Sequence, residues 1–421
     1  MVSKREFTTN PSTIFKSYDS LKMRSDLITL EDILHRDPEI DKLMSCLTRT
    51  MDNTVPDNVF IYGLPGTGKS TVTDLVTTRL ERDAGRDGIL VMMAHVNCEA
   101  VGTDVGILRS ILVSICPEVV QKKIRNSFDA YFSIFCDAVN RSVGVPIIIL
   151  DEIDKLDHPD VLNMFARIRE NKFTDKNLCI IGVTNDLKFL DSLDPRTKSA
   201  MARNEIVFGP YNANQLRDIL LQRSRLAFQD SVLSDTTIPL IAALAAQEHG
   251  DARKAINLLK VSGEIAERLE ASVIGEEHVR AAKAQIEIDT VKETIKTFPT
   301  QIKLVLASCL LLNTPKPRII ETHEVYLMYK NLCSVIGLEI LTQRRVTDYI
   351  SDLAMLDIIT ARVVSKGRYG RTKNISLNIP AELARITIME DSRLSPVINI
   401  DARAVINAVS NTYPIQHLCE E

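Results

Sequence analysis

The chain has 421 residues, too many for one ordinary domain, so two or three are expected. Its composition, 45% hydrophobic and 25% charged, is that of a soluble globular protein, and no apolar run approaches the roughly 20 residues that a membrane-spanning helix needs. The net charge of −4 argues, taken alone, against a nucleic-acid partner, but its distribution argues otherwise. From Glu293 to Asn378 there are 12 Lys/Arg against 7 Asp/Glu, and Ile358–Asn378 holds five basic residues and no acidic one. Any polyanion is therefore expected on the C-terminal third. Met1-Val2-Ser3-Lys4-Arg5 leads into polar residues, without the apolar core of a signal peptide. The eight cysteines are scattered with no Cys-x-x-Cys pair and no zinc spacing, so reduced thiols and a cytoplasmic, nucleoid-associated location are expected.

In chain order, the apolar run Val59-Phe60-Ile61-Tyr62 predicts a buried strand. Gly63-Leu64-Pro65-Gly66-Thr67-Gly68-Lys69-Ser70 follows it, and Thr71 to Leu80 is compatible with a helix. Strand, glycine loop and helix are the context of a phosphate-binding loop. Its glycines let successive N–H groups curl around phosphate oxygens, and the helix N-terminus adds positive potential. Lys69 can reach the β- and γ-phosphates, Ser70 can ligate Mg²⁺, and Thr71 completes the loop-to-helix turn, so ATP or ADP with Mg²⁺ is the expected ligand. Val145–Leu150 predicts a second buried strand, ending in Asp151-Glu152-Ile153-Asp154. There Asp151 would hold Mg²⁺ through water and Glu152 would polarise the attacking water. A third strand, Leu178–Val183, ends in Thr184-Asn185, and Asn185 is placed where ligands bind in open α/β sheets. Beyond Pro210, the segments Asn212–Phe228, Thr236–His249, Asp251–Leu269 and Glu276–Thr297 have helical spacing, which predicts a helical lid. Gly250 is a break, Asp251 an N-cap, and Arg253 is placed to reach back toward the γ-phosphate; Tyr211 is assigned to the nucleotide site.

From about Val291 the pattern changes. Pro299–Leu312, His323–Ile336 and Thr342–Leu356 predict three helices, the last with Val346, Tyr349, Ile350, Leu353 and Leu356 buried. Its opposite face carries Gln343, Arg344, Thr347 and Ser351, where a recognition helix would meet the major groove, together with Asp348. Ile358–Val364 and Asn374–Leu377 then predict two strands. The loop joining them holds Lys366, Arg368, Gly370, Arg371 and Lys373, the composition of a basic wing for a minor groove or phosphates. The domains expected are an N-terminal arm (1–27), an α/β nucleotide-binding domain (28–209), a helical lid (210–290), a winged helix (291–380) and an unassigned extension (381–421).

The glycine loop, Leu150-Asp151-Glu152-Ile153-Asp154-Lys155-Leu156, Val183-Thr184-Asn185 and Gly250-Asp251-Ala252-Arg253 together resemble AAA+ ATPases. More narrowly, His35-Arg36, Asp194–Ser199 and the Gly367–Thr372 wing resemble archaeal replication initiators of the origin-recognition and cell-division-control type, from about Ile14 to about Ile379. That resemblance implies ATP-dependent binding of double-stranded origin DNA and loading of an MCM-type replicative helicase, alone or beside paralogous initiators. It also implies Lys69 and Ser70 on phosphate and Mg²⁺, Asp151 and Glu152 as the metal-binding and water-activating pair, and Asn185 and Arg253 as first and second sensors. His35 and Arg36 would lie near the adenine. An extra helical element over Thr103–Lys123 would offer Arg109, Lys122 and Lys123 to DNA. One departure stands out: Ala200 follows Ser199 where many relatives carry an arginine finger, leaving Arg196 or Arg203 as substitutes. A slow ATP switch is expected rather than a processive motor. The alternatives are a branch-migration motor, an NTP-regulated transcription factor, and a clamp-loader subunit, which gives no reason for a wing.

Overall fold

The computed structural model describes residues 13–22, 29–117, 127–156, 160–313, 318–365 and 371–394. They fall into two units, Met1–Ala282 and Lys283–Glu421. In the first unit, Val59–Gly63 (β1), Val91–Asn97 (β2), Val145–Asp151 (β3), Cys179–Thr184 (β4) and Asn204–Phe208 (β5) make a parallel sheet of order β2-β3-β4-β1-β5. Strand alternation sends successive side chains to opposite faces, and both faces are apolar here. Val59, Ile61, Ile147 and Ile149 pack with Leu43 of the helix Asp37–Leu47 (α1) and Val72 and Val76 of Lys69–Arg86 (α2). Phe60, Ile148 and Leu150 pack on the other face, against Leu108 and Ile111 of Asp104–Ile115 (α3) and Phe135 of Phe128–Arg141 (α4). A sheet covered on both sides explains why β3 and β4 read as continuous apolar runs.

β2 and β5 close the two edges and were not legible as apolar runs, because each has one side in water: His95 and Val207 are exposed. After β5 come Ala213–Ala227 (α5), Thr237–Gln247 (α6), Ala252–Arg268 (α7) and Glu276–Thr297 (α8). Asn212 and Gln215 form a reciprocal capping box on α5, and the Asp251 carboxylate caps α7 by accepting from the N–H groups of Arg253 and Lys254. Phe15 stacks on Phe228 just beyond α5, ring centroids 5.0 Å apart, and so ties the N-terminal stretch to this helical block.

The second unit is built around Thr300–Leu312 (α9), buried along its whole length from Lys303 to Leu312. Thr322–Ile336 (α10) and Gln343–Met355 (α11) pack on it. An antiparallel sheet of order β6-β8-β7, formed by Ile320–Glu321, Arg371–Leu377 and Ile359–Ser365, completes the winged-helix arrangement. The pairing runs from Ile359 opposite Leu377 to Ser365 opposite Arg371; residues 366–370, within the predicted wing, lie outside the described residues. One expectation is corrected. Leu356, assigned to the buried face of α11, is 51% exposed because the helix ends at Met355 and Leu356 is its C-cap. One element is new: Ala381–Met389 (α12) places Ala384 and Ile388 in this core, within the stretch the sequence left unassigned. Among the described residues no helix is long and apolar enough to cross a membrane.

Candidate functional site

The sheet order sets the C-terminal ends of β2, β3, β4 and β1 side by side. Asn97 stands opposite Asp151, Leu150 opposite Gly182, and Tyr62 opposite Thr184. Residues remote in sequence thus reach one rim of the sheet, where open α/β sheets bind ligands. A cavity of about 300 Å³ lies there, lined by the loop Gly66–Thr71 together with Asn97, Asp151, Glu152, Asn185 and Arg253. Ile33, Leu34, Ile219 and Ile256 add an apolar wall, and Tyr211 lines the cavity with them.

The loop carbonyls are held by hydrogen bonds. Lys69 Nζ donates to Gly63 O (2.8 Å), Leu64 O (2.9 Å) and Asn185 Oδ1 (2.8 Å), and Thr67 Oγ1 donates to Leu64 O (2.8 Å). The Ala252 N–H at the start of α7 donates to Gly66 O (3.2 Å). Gly66 and Gly68 have φ of +74° and +93°, a region that side chains with a Cβ rarely occupy. Lys69 is 6% exposed, and none of its bonded acceptors is a carboxylate. Burial lowers its pKa to about 8, with Arg253 adding to the effect and Asp151, Asp154 and Asp251 opposing it. A cation held out of water by neutral oxygens at a helix N-terminus is the chemistry of a polyphosphate site.

Asp151 is 5% exposed, and its Oδ1 accepts the Glu152 N–H at 3.0 Å. Ser70 and Asp151 line the same cavity. They offer oxygens suited to a hard divalent cation, and no group of three or more His, Cys, Asp or Glu among the described residues competes as a metal site. Mg²⁺ would therefore be held by Ser70 and Asp151 together with the ligand's own oxygens. Glu152 adopts a left-handed backbone conformation (φ 54°), and its Oε2 accepts from Asn97 Nδ2 at 3.0 Å. Asp154 Oδ1 accepts from Thr184 Oγ1 (2.5 Å) and from the Asn185 N–H (3.1 Å), which fixes the end of β4.

On the second unit, α11 presents Gln343 and Arg344 to solvent, while Thr347 and Ser351 are half-buried. Thr342 caps the helix through the Arg345 N–H. Lys373 lies against α11, its Nζ donating to Ser351 Oγ at 2.6 Å. Asp348 is exposed on the same helix.

Three family models match this chain: the AAA ATPase domain over residues 33–181, the Cdc6 AAA+ ATPase-type lid domain over 217–284, and the CDC6 C-terminal winged helix domain over 293–385. The chain is 45% identical over 394 residues to ORC1-type DNA replication protein 1 of Methanosarcina mazei, covering 93% of this chain and 94% of that relative. The chain belongs to the ORC1-type DNA replication proteins. It is also 43% identical to the ORC1-type DNA replication protein of Thermococcus onnurineus, covering 92% and 94% of the two chains. The solved structure of the Aeropyrum pernix ORC1 protein in complex with DNA is 39% identical and similar with a TM-score of 0.79, covering 92% of this chain and 100% of that one. The chain is thus a replication initiator of the ORC1/Cdc6 type, with an AAA+ ATPase domain, a lid and a winged helix.

Within this ORC1-type framework the sequence-assigned residues divide. Gly66, Thr67, Gly68, Lys69, Ser70, Thr71, Asp151, Glu152, Asn185, Tyr211 and Arg253 all line the cavity; Gly63, Leu64 and Pro65 do not, being the turn that leads into it. His35 and Arg36 do not line it either. His35 Nε2 meets Asp218 Oδ2 at 3.0 Å, and Arg36 is buried behind the loop. The apolar wall instead comes from Ile33 and Leu34, immediately before them. Arg203 pairs with Asp57 at 2.7 Å, while Arg196 is exposed. Arg109 is exposed on α3; Lys122, Lys123, Lys366, Arg368 and Gly370 lie outside the described residues. Asn97 was missed because β2 was missed. Arg345 is exposed and lies over the ring of Tyr349, 5.0 Å from its centre.

Proposed function

We infer that this initiator marks origins: it binds double-stranded origin DNA sequence-specifically through the winged helix and helps load an MCM-type replicative helicase, acting on the cytoplasmic nucleoid. ATP or ADP occupies the loop cavity. Mg²⁺, when bound, neutralises phosphate charge. Lys69 and the loop N–H groups bind phosphate, with Ser70 and Asp151 on the cation. Glu152 orients the attacking water and is itself aimed by Asn97; Asn185 and Arg253 read the terminal phosphate. Hydrolysis is slow and serves as a switch, a reading supported by Ala200, which follows Ser199 where many relatives carry an arginine finger. Gln343, Arg344 and Thr347 face the major groove, and the wing, with Lys366, Arg368, Gly370, Arg371 and Lys373, tracks phosphates or the minor groove.

The observation that carries this reading is the union, in one chain, of the cavity holding Lys69, Asp151, Glu152 and Asn185 with a winged helix that presents Gln343 and Arg344. The test is a footprint of the purified protein on its own chromosomal fragments, with ADP and with a non-hydrolysable ATP analogue. Protection of a few repeated intergenic boxes, lost in Arg371→Ala, is expected. Diffuse coverage without preferred sites would move the reading to a motor.

A further inference from the structure

Arg36 is 4% exposed and is gripped from several sides, with the ring centre of Phe208 5.5 Å from its guanidinium carbon. Its Nε donates to Thr67 O at 3.0 Å, within the phosphate loop. One terminal nitrogen donates to Gly209 O at 2.6 Å, on the segment between β5 and the lid, and the other to Glu39 Oε1 at 2.9 Å. The guanidinium carbon lies 3.9 Å from the ring centre of Tyr211, the residue that lines the cavity just before α5.

We propose that Arg36 is a positioning residue that presets one phosphate-binding N–H of the loop and couples it to the hinge of the lid. The argument rests on the reading that a nucleotide polyphosphate occupies this loop. In a trans peptide the carbonyl and the following N–H point in opposite directions across one rigid plane. Holding Thr67 O outward on Arg36 therefore aims the Gly68 N–H inward. The Gly66 carbonyl accepts from the Ala252 N–H at the start of α7, which ties the loop directly to the lid. One of these two anchors is thus the lid itself, and the other is a side chain that also grips the lid's first segment at Gly209 and Tyr211. Arginine suits this place. It keeps its charge when buried, its fork reaches two carbonyls at once, and its flat face stacks on an aromatic ring. Lysine offers a single point of donation and no stacking plane. Filling the loop therefore stiffens the hinge, and a displaced hinge loosens the loop.

The test uses the full chain with Arg36→Lys and Arg36→Gln, ADP–Mg²⁺ binding by calorimetry, and amide hydrogen exchange with and without saturating ADP. In the wild type, ADP is expected to protect both the loop 63–71 and the hinge 209–215. Arg36→Lys is expected to bind ADP about 10- to 100-fold more weakly, the cost of losing hydrogen bonds to a charged group. At saturation it should protect the loop but no longer the hinge. A merely structural arginine would lower thermal stability and leave the hinge response intact. Hinge protection in saturated Arg36→Lys equal to wild type, or affinity within twofold of wild type, overturns the proposal. Failure of the wild type to bind ADP would instead overturn the nucleotide reading beneath it.

Discussion

Lys69 is the residue on which charge and burial meet most sharply. Its ordinary value of 10.5 falls to about 8, burial being the main cause. Between those values the unfolded chain holds more protons than the empty folded one, so folding without ligand becomes more favourable as pH rises through that window. A bound polyphosphate reverses the preference, because it stabilises the ammonium. ADP binding should therefore take up a proton above about pH 8 and weaken as pH rises further, by up to about tenfold per unit. Calorimetry at pH 9 in two buffers of different ionisation enthalpy would read this uptake directly. It should vanish in Lys69→Arg, which stays charged throughout. Equal enthalpies in both buffers for the wild type would mean that Lys69 is already charged before ligand arrives. Asn97 and Asp154 act beside it by geometry: one holds Glu152 at 3.0 Å, the other the Asn185 amide at 3.1 Å.

At the scale of elements, the loop and the lid meet closely at Gly66. A Cβ built on Gly66 would lie 1.7 Å from Asp251 Oδ1, the same carboxylate that caps α7. Gly66→Ala must therefore both adopt a left-handed backbone and push the cap aside. Left-handed strain of roughly 1–2 kcal/mol and loss of a cap worth about 0.5–2 kcal/mol give an expected destabilisation of about 1.5–4 kcal/mol. Glycine is itself a tolerable N-cap, so Asp251→Gly in the same chain should recover part of that loss. Denaturant melts of the two single variants and the double variant would show a coupling of at least about 0.5 kcal/mol. Additive losses would deny the contact. The same elements explain what sequence could reveal. β1, β3 and β4 announce themselves because both faces of the sheet are covered, so their residues are apolar without interruption. β2 and β5 do not, since an edge strand mixes polar and apolar residues as Met92-Met93-Ala94-His95 and Asn204-Glu205-Ile206 do. With β2 went Asn97, whose place beside Asp151 exists only through strand register. The phosphate loop, by contrast, is local: one stretch of chain carries its glycines, lysine and hydroxyl. Arg36 is placed near the base by the family resemblance and by the structure as a strap behind the loop, because four of its five contacts come from residues 67, 208, 209 and 211.

For the molecule as a whole, a net charge of −4 must be reconciled with a duplex partner. At 0.1 M salt, charges farther than about 10 Å from a phosphate are largely screened, so only the basic residues near the DNA set the affinity. On the proposed reading α11 brings Arg344 and Arg345 to the duplex, with Asp348 opposing them on the same helix. Such a mixed face gives modest non-specific attraction and leaves discrimination to base contacts. Arg344→Ala should then cost about 1–3 kcal/mol on preferred boxes and much less on random duplex, with little change in salt slope. Asp348→Asn should strengthen binding to any duplex and steepen the salt dependence, because one repulsive charge is gone. Titrations of both variants on boxed and random DNA across 50–200 mM salt decide the matter. If Arg344→Ala weakens both DNAs equally and lowers the slope by about one, that arginine sits on a phosphate. If neither variant changes either titration, α11 faces away from DNA and the wing alone must carry the contact.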